Sequence, residues 1–153
     1  YAKEKEEIYR ALYKNDIQAV KGLLDFLDLL AGQQILMAVA TSAPPSNVEF
    51  VLESIGAKQY FDIIVDDTAV KNGKPDPEVF LQAASKLGID PAHCIVIEDS
   101  LSGIKAAQRA NMQVIAVATT HSPAELAHAD QTIYNFSELS LADLRKLLNF
   151  GRA

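Results

Sequence analysis

Five short apolar runs recur along the chain, with segments of helical spacing between them, and this alternation limits the fold more than any other feature. The runs are ILMAVA (35–40), FDIIV (61–65), CIVI (94–97), VIAVA (114–118) and QTIY (131–134). They are too short for ordinary helices and too continuously apolar for half-exposed strands. They are expected to be strands covered on both faces. Between them, Val20, Leu23, Leu24, Leu27 and Leu30 recur at helical spacing over 18–31, with Gly32 as the expected stop. Ser46 is expected to cap a helix through Val48, Val51, Leu52 and Ile55, closing near Gly56. Further helices are expected around Val79, Phe80, Ala83, Ala84 and Leu87, ended by Gly88, and around Leu101, Ile104, Ala107 and Ala110. A short helix is expected at ELAHA (125–129), and a closing one on Leu141, Leu144, Leu147 and Leu148. Strands joined by such crossovers make an α/β fold, a three-layer, doubly wound, mostly parallel sheet.

The 153 residues are enough for one domain with a sizeable core. Fourteen basic residues against 20 acidic ones give a net charge of −6. This disfavours nonspecific nucleic-acid binding and anionic membrane surfaces. No apolar run approaches the ~18 residues of a membrane span. Cys94 is the one cysteine, which fits a reducing, cytoplasmic setting and reads as a core residue. His93, His121 and His128 show no metal-ligand spacing. The charged start YAKEKEE lacks the apolar stretch of a signal peptide, and the absence of an initial methionine suggests a chain that begins mid-gene.

Ligands of open α/β sheets bind beyond the carboxyl ends of the strands. Thr41 and Ser42 follow the first run, Lys71 and Lys74 lie in the loop after the second, and Glu98 and Asp99 follow the third. Hydroxyls and turn N–H groups bind phosphate, and a lysine adds a point charge. Paired carboxylates suit Mg²⁺, which prefers hard oxygen ligands and bridges to phosphate oxygens. Each piece alone has a plainer reading. Thr41-Ser42 before two prolines is a turn, Lys74 is a solvated loop lysine, and Asp99 or Ser100 caps a helix. Their joint placement at one edge, in this order, points instead to phosphoryl transfer.

VATSAPPSNVEFVLESIG (39–56), YFDIIVDDTAVKNGKPDPEVFLQAASKLGI (60–89) and HCIVIEDSLSGIKAAQRANM (93–112) resemble the haloacid dehalogenase superfamily. The likeness is greatest to its branch of phosphatases and β-phosphoglucomutase-like enzymes, and it covers the chain from about residue 18. It implies that Thr41 and the Ser42 amide bind the transferring phosphoryl group and that Lys74 neutralises charge on phosphate and nucleophile. It implies Mg²⁺ on Glu98 and Asp99, and a small phosphorylated metabolite, such as a sugar phosphate, as substrate. Oligomeric state is left open.

The family's nucleophile is an aspartate in a DxDGT-type motif on the first core strand, and no such motif is present. DFLDLL (25–30) is helical in pattern, and Asp66-Asp67 follows the wrong strand. The resemblance therefore implies that residues 1–17 are the last helix of a helical cap and that 18–153 form the core without its first strand. That strand belongs between the runs at 35–40 and 94–97. The chain is expected to be part of a longer enzyme and inactive alone. A non-catalytic interaction module that kept the fold is the rival reading. A nucleotide-binding domain is disfavoured by the lack of a Gly-rich phosphate loop.

Overall fold

The computed structural model describes residues 19–150, with side chains to 148. The polar helix expected at 3–14, and with it the cap remnant at 1–17, lies outside the described residues. In chain order the elements are α1 (Leu23–Gly32), β1 (Ala38–Ala40), α2 (Pro45–Ser54), β2 (Ile63–Val65) and α3 (Glu78–Leu87). Then follow β3 (Ile95–Glu98), α4 (Leu101–Arg109), β4 (Gln113–Val117), β5 (Gln131–Ile133) and α5 (Leu141–Phe150). Every strand pair is parallel. Strand and helix alternate as the apolar runs require, and the fold class is the expected α/β one.

Side chains of each strand divide between two layers, because successive residues of a strand point to opposite faces. Val114 and Ala116 of β4 enter a cluster with Val79, Phe80, Ala83 and Ala84 of α3 and Ile104, Ala106 and Ala107 of α4. Ile115 and Val117 enter the opposite cluster with Phe26 and Leu30 of α1 and Leu144 of α5. Val39 and Ile64 pack with Leu27, Val48 and Leu52 of α1 and α2. The layers are α3 and α4 on one side, and α1, α2 and α5 on the other. Burying a side chain such as Ile115 contributes about 1.5–3 kcal/mol, and Ile115 has no exposed surface.

The strands form two sheets, β1-β2 and β3-β4-β5. One apolar cluster spans both, since Ala38, Ala40 and Ile63 pack against the residues that cover Val96 and Val114. Among the described residues, no strand pairs with the free flank of β1 or of β3.

Several expectations are corrected. The strand expected over 35–40 is ordered as one only at Ala38–Ala40. Gln33, Gln34 and Ile35 instead donate their N–H groups back to carbonyls of α1, and Gln34 takes the left-handed φ of 58° expected at a glycine stop. Ile35 and Leu36 are therefore exposed, Leu36 at 58%. Helix α1 begins at Leu23, not at residue 18, and runs through Gly32. Ser46 is not a cap: α2 starts at Pro45, whose fixed φ suits a first helical turn. ELAHA forms successive turns, not a helix, with i→i+3 bonds from Glu125 to Ser122 and from Ala129 to Leu126. Leu126 is fully buried and anchors that segment. The third strand is shifted by one residue, so Glu98 is its last member and not the first residue beyond it.

Candidate functional site

Thr41 stands directly after β1, and its N–H donates to the Val65 carbonyl of β2 at 2.9 Å. Its Oγ1 accepts from Ala43 N at 3.1 Å, closing a tight turn. Asp67 N donates to Ala43 O at 3.3 Å, so the loops after β1 and β2 are tied together. Ser42 is exposed at the tip of this turn.

The loop after β2 is shaped by its own acids. Both oxygens of the Glu78 carboxylate are used, Oε1 accepting from Lys71 N and Oε2 from Asn72 N, each at 3.0 Å. Asp76 Oδ1 accepts from Glu78 N at 2.9 Å and starts α3. Arg109 of α4 donates to Pro75 O at 3.2 Å, and the Lys74–Pro75 peptide is cis. Lys74 is half-buried and Lys71 exposed. Lys74 Nζ lies 2.7 Å from Glu98 Oε2 and 5.0 Å from the Phe80 ring centroid. A cation over an aromatic face in a partly desolvated site is attracted by the ring quadrupole.

Glu98 ends β3 with its carboxylate folded over the first turn of α4. Its Oε1 accepts from Asp99 N at 3.0 Å, Ser100 N at 3.2 Å and Ser100 Oγ at 3.1 Å. Ser100 is the helix cap, its Oγ accepting from Gly103 N at 3.0 Å. Burial alone would raise the Glu98 carboxyl. The Lys74 charge and these hydrogen bonds outweigh it and hold the group below the usual carboxylate range. Asp99 is raised, first by burial and then by the hydrogen bond and charge of Glu98. Its backbone carbonyl accepts from Thr120 Oγ1 at 3.3 Å.

The two adjacent carboxylates, with the proton affinity of Asp99 raised first by burial and then by the neighbouring Glu98, are hard oxygen donors of the kind a divalent cation takes. They would supply two of the roughly six oxygens Mg²⁺ needs. Among the described residues, no group of three or more His, Cys, Asp or Glu side chains is arranged as a metal cluster. The structure thus joins Lys74 directly to Glu98, with Asp99 next in the chain. It places Thr41 and Ser42 at the carboxyl end of β1 in the companion sheet. Sequence reading did not identify Phe80, Glu78 or Gly103 as parts of this site, because the first two act only once the loop after β2 folds back on α3, and Gly103 acts through the absence of a side chain.

The model of the haloacid dehalogenase-like hydrolase family matches residues 2–117. The chain belongs to that family. The 5-amino-6-(5-phospho-D-ribitylamino)uracil phosphatase of Arabidopsis thaliana chloroplasts is 38% identical over 146 residues, which are 95% of this chain and 39% of that relative. This haloacid dehalogenase-like chain therefore spans well under half the length of that curated relative. A family IA variant 3 hydrolase from Entamoeba histolytica superposes with a TM-score of 0.89 at 33% identity, covering 97% of this chain and 70% of the other. β-Phosphoglucomutase from Clostridium difficile gives a TM-score of 0.84 at 30% identity, covering 97% and 66%. Among the described residues of this family member, no helix is long and apolar enough to cross a membrane.

Proposed function

We propose that this chain carries the phosphate- and cation-holding half of a Mg²⁺-dependent phosphatase or phosphomutase acting on a small phosphorylated metabolite, such as a sugar phosphate. The observation that carries this reading is the half-enclosed Lys74–Glu98 pair at 2.7 Å, beside Asp99 and at the carboxyl ends of parallel strands. Thr41 Oγ1 and the Ser42 amide bind the phosphoryl oxygens, and Lys74 neutralises their charge. Glu98 and Asp99 would hold Mg²⁺, which supplies further charge neutralisation on the phosphate when bound. Such positioning and electrostatics provide most of the rate in phosphoryl transfer.

None of these groups is an in-line nucleophile. The attacking carboxylate is proposed to arrive on a parallel strand lying between the free flanks of β1 and β3. The separation into two sheets supports this, as does Ile97 of β3, which is 37% exposed. Without that strand, the 153 residues alone are expected not to turn over phosphate esters.

The test is a titration of the chain with inorganic phosphate and Mg²⁺, followed residue by residue through its amide NMR signals. Shifts centred on Thr41, Ser42 and Lys74, lost in Lys74→Ala, are expected. Shifts elsewhere, or none, would sink the assignment and leave a non-catalytic module. A parallel assay of phosphate release should show no Mg²⁺-dependent turnover by the chain alone. Robust turnover would mean that the nucleophile is misplaced.

A further inference from the structure

We propose that Gly103 is a positioning residue for Lys74, acting through Glu98. Glycine weakens a helix interior relative to alanine, yet Gly103 lies within α4 and is buried. It does not adopt a positive φ, as Gly22, Gly56 and Gly88 do, so no turn requires it. Alanines at 106 and 107 on the same helix are buried without difficulty. What distinguishes position 103 is its neighbour. A Cβ built there would overlap Cγ, Cδ and Oε2 of Glu98, well inside contact distance.

The space left by the missing Cβ is filled by the Glu98 side chain, which lies back across the helix N-terminus. In that pose the carboxylate oxygens have different duties. Oε1 receives Asp99 N, Ser100 N and Ser100 Oγ, and Oε2 faces Lys74 Nζ. Oε1 is fully used by its three donors, and Oε2 keeps a lone-pair direction beside Lys74 Nζ. The helix start fixes one oxygen, so the other is presented at a defined point. Phe80 confines the ammonium from a second side. A methyl at 103 would displace Glu98 from this seat and leave Lys74 without its partner. The consequence for phosphoryl transfer rests on the function proposed above; the control of Lys74 by Gly103 does not.

The test is residue-resolved acetylation of the folded chain, read by mass spectrometry, with Lys71 and Lys105 as internal references. In Gly103→Ala, Lys74 is expected to acetylate about tenfold faster, the order of effect of losing one charge-assisted hydrogen bond. The reference lysines are expected to be unchanged. In a Glu98→Ala background, Gly103→Ala is expected to add nothing, because the clashing atoms are gone. An unchanged Lys74 rate in folded Gly103→Ala would overturn the proposal, as would an equal increase in both backgrounds. If Gly103→Ala does not fold but Glu98→Ala/Gly103→Ala does, the Glu98 side chain is what the glycine accommodates, and the proposal is supported. Equal loss of fold in both would overturn it. If Lys74 is released but inorganic phosphate binds as before, the positioning stands and the proposed function fails.

Discussion

Lys74 and Glu98 are 24 positions apart in the chain, yet their charged atoms meet at 2.7 Å with side chains only 12% and 9% exposed. The contact closes the carboxyl end of β3 against the loop that follows β2. Removing one member of such a pair strands the other charge, which costs about 3–5 kcal/mol when burial is deep. Residual solvent access here reduces that figure. Glu98→Ala is expected to destabilise the chain by about 2–4 kcal/mol in urea unfolding. Lys74→Met in the same background should recover much of the loss, because no uncompensated charge remains. Additive losses in the double variant would show that the two groups are energetically independent.

Asp99→Asn keeps the side-chain volume and removes one charge from the proposed cation site. Mg²⁺ affinity, measured by calorimetry on the complete enzyme, is expected to fall by about tenfold or more. Thermal stability should change little, since Ser100 and not Asp99 caps α4. An unaltered Mg²⁺ isotherm would return Asp99 to a purely structural role.

Among the described residues no strand pairs with the free flanks of β1 and β3, and bare strand edges recruit other strands. The isolated chain is expected to self-associate with rising concentration in sedimentation velocity. Ile97→Lys places a charge on the bare part of β3 and should shift the distribution toward monomer. A wild-type chain that stays monomeric throughout would show that these flanks are covered.

Cys94 has its thiol pushed up, first by burial and then by the Asp90 charge. The fold therefore favours the neutral thiol. This contribution to stability is present below the ordinary thiol pKa and is lost as pH rises through the folded one. Alkylation by iodoacetamide should rise with pH later in the native chain than in the same chain in urea. Coincident pH profiles would remove the predicted shift.

Much of the architecture was legible because burial imposes a pattern. Val114, Ile115, Ala116 and Val117 are apolar in succession since both faces of β4 are covered, and Leu27, Leu30, Val79 and Phe80 recur with the helical period since one face is. The family motifs were legible too, as the charges of Glu98 and Asp99 interrupt an apolar run at a strand end, where a sheet exposes ligand sites, and Lys74 lies in the loop after another strand. The sequence alone thus determined the strand–helix alternation, the fold class and the candidate residues. Tertiary structure decided where β1 begins, since hydrogen bonds from Gln33 to Ile35 back to α1 outcompete strand pairing for an equally apolar stretch. It also decided how the acidic pair divides its contacts. The seat of Glu98 depends on an atom that glycine lacks, on a serine cap and on a lysine brought in by a distant loop, and no local pattern records contacts made between separate elements.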